Sequence, residues 1–371
     1  MKFPSIYVFN LTNTDFSLAG EIEQFTDFSW SDKFMGYADF ELKAPANETN
    51  LKLLKTDNVI WCGGETAALI EIVQFDQEDN GIFITAKGRT LECILTNRVI
   101  SSGISFPEQT ASDVVYSILG FNTASASTEQ ARRFPYFSYT QDVTFGTAQA
   151  YEITPKVYKT VYDAILSLCK DYSIGCKVVF NPSNKTLTFK LVKGTNRSSS
   201  VILSTDSEDI LPGSYYKNKQ SYKNVALTFG IWPNSSVYVT AFSGRTSASG
   251  FTRREVAIDA SDIQGTDSSG SVVDLDTFNT QLKIRGIEQL AKFKTAESYD
   301  GGTVLEGRHY TYGVDYFLGD TIKVIDTEMG VQVTGVVTEV CDMYSGAKHE
   351  QTVTVGYSQP TLYTRIKDQL L

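Results

Sequence analysis

The sequence predicts a mainly β protein with α+β insertions, in which two short-strand meanders near the chain ends flank helix-containing segments. Three observations predict it. Phe and Tyr number 22 and 20 against only two His, a composition suited to half-buried sheets and poor in the usual proton-transfer residue. Phe25 to Ile100 reads as a string of short strands with turn residues between them, among them the Asp79-Asn80-Gly81 hairpin signal, and closes with Lys87 to Ile100. A similar string recurs from Thr303 to Gly356, and helical spacing is confined to the segments between.

The elements follow in order. Ile6 to Phe9 and Phe16 to Ile22 open the chain as strands. An aromatic strand pair (Phe28, Trp30, Phe34, Phe40, Leu42) bends at Gly36 and stops at Ala44-Pro45; Val59 to Cys62, Ala68 to Phe75 and Ile82 to Ala86 continue the sheet. Leu91, Ile94 and Leu95 fall at helical spacing for about a turn and a half. Residues 101–110 read as a loop, and Thr110 caps a helix that Gly120 ends. Asn122 to Pro155, with Phe134, Tyr136, Phe137 and Tyr139, reads as a surface excursion that contacts a partner. Thr160 and Asp163 form a capping box for a helix striped by Val161, Ala164, Ile165, Leu168 and Cys169, and a hairpin from Cys176 to Leu191 follows it. Val201 to Leu203 and Asn224 to Phe229 are strands, residues 243–270 a polar flap with a strand at Arg254 to Ile258, and Thr277 to Ala296 the longest helix, striped by Ile284, Ile287, Leu290 and Ala291. Thr303 to Val314, Thr321 to Ile325, Gln332 to Val340 and Gln351 to Gly356 form the second meander. These divisions set three domains: 1–105, 106–200, and 201–371 with the flap 243–270 and the helix 277–296.

Composition narrows the function. The 371 residues suffice for two or three cores. A net charge of −10 argues against a duplex-binding face or an anionic-membrane anchor. Five Cys without CxxC spacing (62, 93, 169, 176, 341) read as buried free thiols. The N-terminus reads as a first strand rather than a signal peptide, and no apolar run is long enough to cross a bilayer as a helix. His309 and His349 lack any HExxH or GxSxG context. Asp274/Asp276 and Asp76/Glu78/Asp79 sit in turns or strand ends, where carboxylates are solvated, and Gly63-Gly64 lacks the Lys-Ser/Thr of a phosphate loop. No catalytic, cofactor or metal residue is assigned. Paired barrels without chemistry suit a scaffold, and such scaffolds can close into rings.

Trp30, Phe34, Gly36, Phe40 and Pro45, the Ile70-Glu71-Ile72 strand, the Gly81 hairpin, and Lys87-Gly88 with Leu91, Leu95 and Arg98 resemble the opening domain of siphophage tail-associated baseplate hub proteins. Gly313-Val314-Asp315-Tyr316-Phe317-Leu318-Gly319-Asp320-Thr321-Ile322-Lys323-Val324 resembles the strand pair of their second tube barrel, and Thr160 to Leu191 their helix-plus-hairpin insertion. The resemblance implies two small tube-type β-barrel domains with helix-containing lateral domains. It implies a homotrimeric ring of pseudo-sixfold symmetry that closes the distal end of the tail tube and opens for DNA and the tape-measure protein. The implied neighbours are the distal tail protein ring and receptor-binding or fibre proteins, and the implied location is the virion tail tip, after synthesis in the host cytoplasm. Many relatives continue into a peptidoglycan-cleaving or fibre region; this chain ends at Leu371, so no lytic activity is expected. Two other readings remain: a carbohydrate-binding tail-tip module stacking sugars on Tyr136, Tyr139, Tyr215 and Tyr216, and a tail-associated hydrolase. For the ring, Gly319 is expected to need a conformation costly to other residues, and Asp320 to bond nearby amides. The lumen is expected to be acidic or neutral, with Arg132-Arg133, Lys217 to Lys223 and Arg253-Arg254 turned away from it.

Overall fold

A computed structural model describes residues 4–124, 127, 129–153, 158, 160–233, 237–263, 265–266, 271–303, 309–346 and 348–357. The chain order is β1 (Ile6–Leu11), β2 (Phe16–Ile22), β3 (Asp27–Lys33), β4 (Asp39–Pro45), α1 (Glu48–Leu53), β5 (Val59–Trp61), β6 (Ala67–Glu78), β7 (Gly81–Thr90) and a 3-10 turn (Leu91–Asn97). Next come β8 (Ile104–Gln109), α2 (Ala111–Thr123), β9 (Phe137–Tyr139), β10 (Gln149–Ile153), α3 (Val161–Tyr172), β11 (Gly175–Asn181) and β12 (Thr186–Val192). The remainder is β13 (Ile202–Ser204), β14 (Ser214–Asn218), β15 (Val225–Ile231), β16 (Tyr238–Gly244), β17 (Glu255–Asp259), α4 (Leu275–Leu290), β18 (Ala296–Thr303), β19 (Thr321–Asp326), β20 (Val331–Ser345) and β21 (Lys348–Gly356). Two compact units result, one of residues 1–215 with 298–371 and one of residues 216–297.

One sheet carries both meanders. Its path is β14-β18-β21-β20-β3-β4-β7-β6-β5-β1-β2, with β19 and β13 branching from β20. The path contains a repeat: β3-β4-β7-β6-β5-β1 in the first half corresponds to β14-β18-β21-β20-β19-β13 in the second. In each half a long strand bends at a bulge, between Ile70 and Ile72 in β6 and between Val337 and Glu339 in β20, so that its first part pairs with a short strand and its second with a hairpin partner. The halves differ in that β1 meets β5 antiparallel and continues to β2, whereas β13 meets β19 parallel. Alternation gives each half a dry face. Phe28, Trp30, Phe40, Leu42, Ile70, Ile84 and Ala86 enclose the first core and Tyr299, Ile322, Val324, Val333, Val340, Val353 and Val355 the second. Trp30 is 8% exposed and packs on Phe40 at 6.1 Å.

The β8–β12 segment builds a third core. Thr110 and Thr160 cap α2 and α3 as expected, with the full capping box at Thr160 and Asp163. Residues 104–109, expected in a loop, pair as β8 with β10, and α2 runs through Gly120 to Thr123 because Asn122 and Thr123 turn their side chains back onto the helix carbonyls of Ile118 and Leu119. The expected excursion folds inward: Phe134, Tyr136, Phe137 and Tyr139 pack on this core, and β9 joins β12 in parallel. The open edge of β11 is closed by the first meander. Cys176, Val178 and Phe180 donate their N–H groups to the Phe34 carbonyl, the Glu92 carboxylate (2.6 Å) and the Glu65 carbonyl. Glu92 thus stands in for a backbone acceptor, and its burial pushes its carboxyl up to about 7.

In residues 216–297, β16-β15-β17 form a sheet under α4. Residues 243–270 contribute the end of β16 and, as β17, the strand expected at Arg254 to Ile258; residues 264 and 267–270 lie outside the described residues. The helix departs from its expected stripe. Phe278, Leu282 and Gly286 face inward, while Ile284 and Ile287 are 42% and 57% exposed. The sheet face beneath is made of small residues such as Ala226, Thr228, Ala241 and Ser243, so the helix approaches closely; a Cβ on Gly286 would lie 2.4 Å from both the Thr228 and Ser243 hydroxyls. The helix starts at Leu275, ahead of the expected Thr277, with Asp274 as its cap accepting the Thr277 N–H at 2.7 Å, and Ala296 already opens β18. Of the strand expected from Thr303 to Val314, residues 304–308 lie outside the described residues, and 309–314 form turns with one bridge between Tyr312 and Tyr316.

The first unit is locked where three segments meet at Phe34. Its N–H donates to the Thr338 carbonyl, its own carbonyl accepts from Cys176, and a Cβ on Gly175 or Gly319 would lie 2.4 or 2.3 Å from its ring. Gly319 holds φ +91° and donates its N–H to Val337, while Asp320 accepts from the Thr195 and Phe317 amides and pairs with Arg197 at 2.7 Å. Gly319→Val therefore meets both backbone strain and the Phe34 ring, with an expected cost on the order of 3 kcal/mol; a urea midpoint indistinguishable from wild type would refute the lock. Glu92 carries a second expectation. Its usual value is 4.5, so the folded chain holds a proton that the unfolded chain has lost between those limits. Stability is therefore greatest below about pH 4.5 and falls as pH rises through about 7, by on the order of 3 kcal/mol from this group. Glu92→Gln keeps an acceptor for Val178, and denaturant titrations of the variant should show this slope flattened; an unchanged slope removes the assignment.

Candidate assembly surface

The halves of the sheet join through β3 and β20, seven residue pairs in register from Lys33–Glu339 to Asp27–Ser345. The seam is reinforced on both faces. On the core side Phe28 stacks on Tyr344 at 6.1 Å; on the opposite side Ser345 donates to Asp27 and Lys33 lies 3.6 Å from Asp39 and 3.8 Å from Glu339. Through the repeat, β14 corresponds to β3 and β6 to β20. The edges that β3 and β20 use to join each other therefore have counterparts on β14 and on β6 from Glu71 to Glu78, and among the described residues those counterparts meet no further strand. Ile72 and Phe75 are exposed at the second of these edges, where an unpaired strand is a template for another chain.

The face of the sheet opposite the cores is charged. Ser29, Glu41 and Lys87 share one row across β3, β4 and β7, and Asp300, Thr354, Glu339 and Lys33 share another across β18, β21, β20 and β3. Cations here face carboxylates: Lys87 to Glu41 at 3.0 Å, Lys43 to Glu78 at 2.5 Å, and Arg89 in a two-bonded fork to Glu71. Asp27, Asp76, Asp300 and Glu350 add negative charge with no salt bridge of their own among the described residues. Arg132 and Arg133 instead bond carbonyls of Val99 and Ser127, and Arg253 those of Thr246 and Ala248.

The structure separates the residues that could have made another kind of site. His349 bonds Asp342 at 2.7 Å and stacks on Tyr344 at 4.1 Å, and His309 pairs with Asp209 at 3.0 Å; the two imidazoles belong to different structural pairs. The four tyrosines considered as sugar platforms are engaged within the chain: Tyr136 against Phe16, Tyr139 stacked on Tyr116, Tyr215 on the second core, and Tyr216 through its hydroxyl to Asn218. Among the described residues no group of His, Cys, Asp and Glu is arranged to hold a metal ion. All five cysteines are free, and burial pushes the thiols of Cys62 and Cys93 up to about 12. What sequence reading missed is the pair of edges that stay unpaired among the described residues, because edge status belongs to topology.

The fold is shared with phage tail proteins of known structure. The tail protein from Neisseria meningitidis MC58 superposes with a TM-score of 0.59 at 13% identity, covering 96% of this chain and 97% of that one. The 43 kDa tail protein of prophage MuSo2 from Shewanella oneidensis gives 0.59 at 11% identity, with 96% and 98% covered. Prophage tail protein gp18 from Listeria monocytogenes EGD-e gives 0.52 at 12% identity, with 99% and 98% covered. No curated protein matches the sequence. The family model of siphovirus ReqiPepy6 Gp37-like proteins matches residues 6–357, nearly the whole of the chain whose two-fold repeated sheet has just been described, and the chain therefore belongs to that family.

Proposed function

We propose that this protein is a non-enzymatic structural hub of a phage tail tip: a homotrimeric ring that closes the distal end of the tail tube and opens for DNA. One observation carries the reading, namely that the strand edges joined within the chain at β3 and β20 recur on β14 and β6 without a further strand among the described residues. Pairing β14 of one copy with β6 of the next repeats the internal seam. Such a contact is head-to-tail, and it ends in a ring when the rotation closes. Three copies with two repeats each present six similar units, the number needed to face a sixfold tube. In this reading residues 1–105 and 201–371 supply the tube domains and 106–200 the lateral domain. Its neighbours are the distal tail protein ring, the tape-measure protein and receptor-binding or fibre proteins, and its place is the tail tip of the virion. The charged sheet face lines the passage. Matched cations with an acidic surplus give DNA phosphates nothing to grip.

Light scattering of the purified chain should give three times its 41.1 kDa mass. Ile72→Lys with Phe75→Lys, both at exposed positions of the open β6 edge, should return it to monomer without unfolding it; a wild-type monomer at every concentration, alone and in assembled tails, would sink the ring. For the passage, Glu41→Lys with Glu350→Lys should slow DNA ejection at low ionic strength and restore it at high salt. Ejection indifferent to both changes would remove that face from the lumen.

A further inference from the structure

Residues 216–297 carry ten Lys and Arg against eight Asp and Glu, a net of +2, so the rest of a chain of net −10 carries −12. Within this unit the charge is further sorted by the fold. Val225 of β15 lies opposite Gly244 of β16 and Glu255 of β17, and a Cβ on Gly244 would touch Leu290 of α4. The segments entering β15, leaving β16, entering β17 and following α4 therefore converge at one end, bringing Lys219, Lys223, Arg245, Arg253, Arg254, Lys292 and Lys294 with them. Asn224 ties this end together: its N–H and carbonyl bond Arg254 and Arg245, and its side chain bonds Thr252 and Arg254. Three acids lie near this end: Glu288 on the last turn of α4, and Glu255 and Glu297, which are engaged by Arg253 and Lys217. Lys219, Lys223, Arg245 and Lys294 have no acidic partner among the described residues. Asp259, Asp262, Asp274 and Asp276 belong to the other end, around the close of β17 and the start of α4.

The loop between β16 and β17 projects from the cationic end and is braced. Arg253 bonds the Thr246 and Ala248 carbonyls, covers the Phe242 ring and donates its N–H to Gly250; Thr252 bonds Ser249 twice. At its tip Phe251 is 103% exposed. A stiff loop that holds a phenylalanine fully in water at the end where the cations gather is built for a surface that is apolar beneath and anionic above. Single-strand binding uses successive stacking aromatics along a groove and duplex binding a track of phosphates, neither of which one aromatic tip supplies. The uncompensated cations are mostly lysines, point charges on long flexible stems suited to a diffuse anionic layer.

We propose that this end of the 216–297 unit docks onto an anionic phospholipid bilayer, with Phe251 entering the interfacial layer and the surrounding lysines and arginines meeting the headgroups. The chain's negative total does not oppose this, because charges farther than a Debye length are largely screened. The test is flotation of the full chain with vesicles of phosphatidylcholine alone and mixed with phosphatidylglycerol, at low and high salt. Binding should require phosphatidylglycerol, weaken with salt, and fall roughly tenfold or more for Phe251→Ala, whose side chain contacts too little to affect folding. Lys219→Glu with Arg245→Glu should reduce binding further, and Phe251→Trp should bind with a blue-shifted emission absent without vesicles. Lack of binding, or binding equal in Phe251→Ala, overturns the proposal. Capture by soluble polyglutamate with indifference to vesicles overturns it in favour of an acidic protein partner.

Discussion

Phe34 is the side chain on which the first unit depends. It leaves the end of β3, and its ring occupies the space that a side chain at Gly175 or Gly319 would need, so the start of β11 and the approach to β19 can both close against it only because each offers a glycine. Its backbone is used as fully as its ring, donating to Thr338 and accepting from Cys176. One residue therefore sets the distance between the first meander, the helix-and-hairpin segment and the second meander. The costs of such a point are the restricted φ at Gly319 and the buried charge of Asp320, and both are offset locally: Asp320 accepts two backbone amides and an Arg197 guanidinium.

The treatment of strand edges separates structural surface from surface with another use. The outer edge of β11 donates three amides, and each finds an acceptor inside the chain, one of them a buried carboxylate recruited for the purpose. A protein that meets the burial cost of Glu92 to satisfy Val178 has folded under pressure to leave no edge group unpaired. The edge of β6 from Glu71 onward is not treated this way. It carries exposed Ile72 and Phe75 and, among the described residues, meets no further strand. The contrast within one chain is stronger support for an external strand partner than exposure alone, and the internal β3–β20 seam shows what kind of pairing that partner would supply.

Alternating aromatics and turn glycines made β1 to β7 legible from the residues, and the two Thr caps did the same for α2 and α3, since those signals act within a few neighbours. The failures share a different origin. For α4 the reading follows the Ile284, Ile287, Leu290 and Ala291 stripe, whereas the sheet below presents small side chains and selects the face that contains Phe278, Leu282 and Gly286. Strand β18 falls between the helix expected to end at Ala296 and the strand expected from Thr303, unassigned because Gly301 and Gly302 carry no strand propensity; Gly301 serves a close approach of Tyr299 and Ile210 that only the fold defines. The aromatics from Phe134 to Tyr139 looked available because their partners Phe16, Arg98 and Tyr116 lie far away in sequence.

Net charge was the least informative of the sequence descriptors, because it averages over arrangements that act in opposite directions. A value of −10 argues, taken alone, against a duplex-binding face or an anionic-membrane anchor. The fold instead distributes charge by element. Across the sheet, register places Lys87 beside Glu41 and Lys33 beside Glu339, leaving a face that neither holds nor strongly repels a polyanion. In residues 216–297 the antiparallel course of α4 over β15 gathers Lys292 and Lys294 with the cations of three strand ends, while the acids of its first turn sit at the opposite end, the arrangement favoured by the helix dipole as well. Screening makes each of these faces act over about 8 Å, which is shorter than either unit is long. One chain can therefore present a non-adhesive face to one polyanion and an adhesive end to another, and its partners are decided by where its charges are placed.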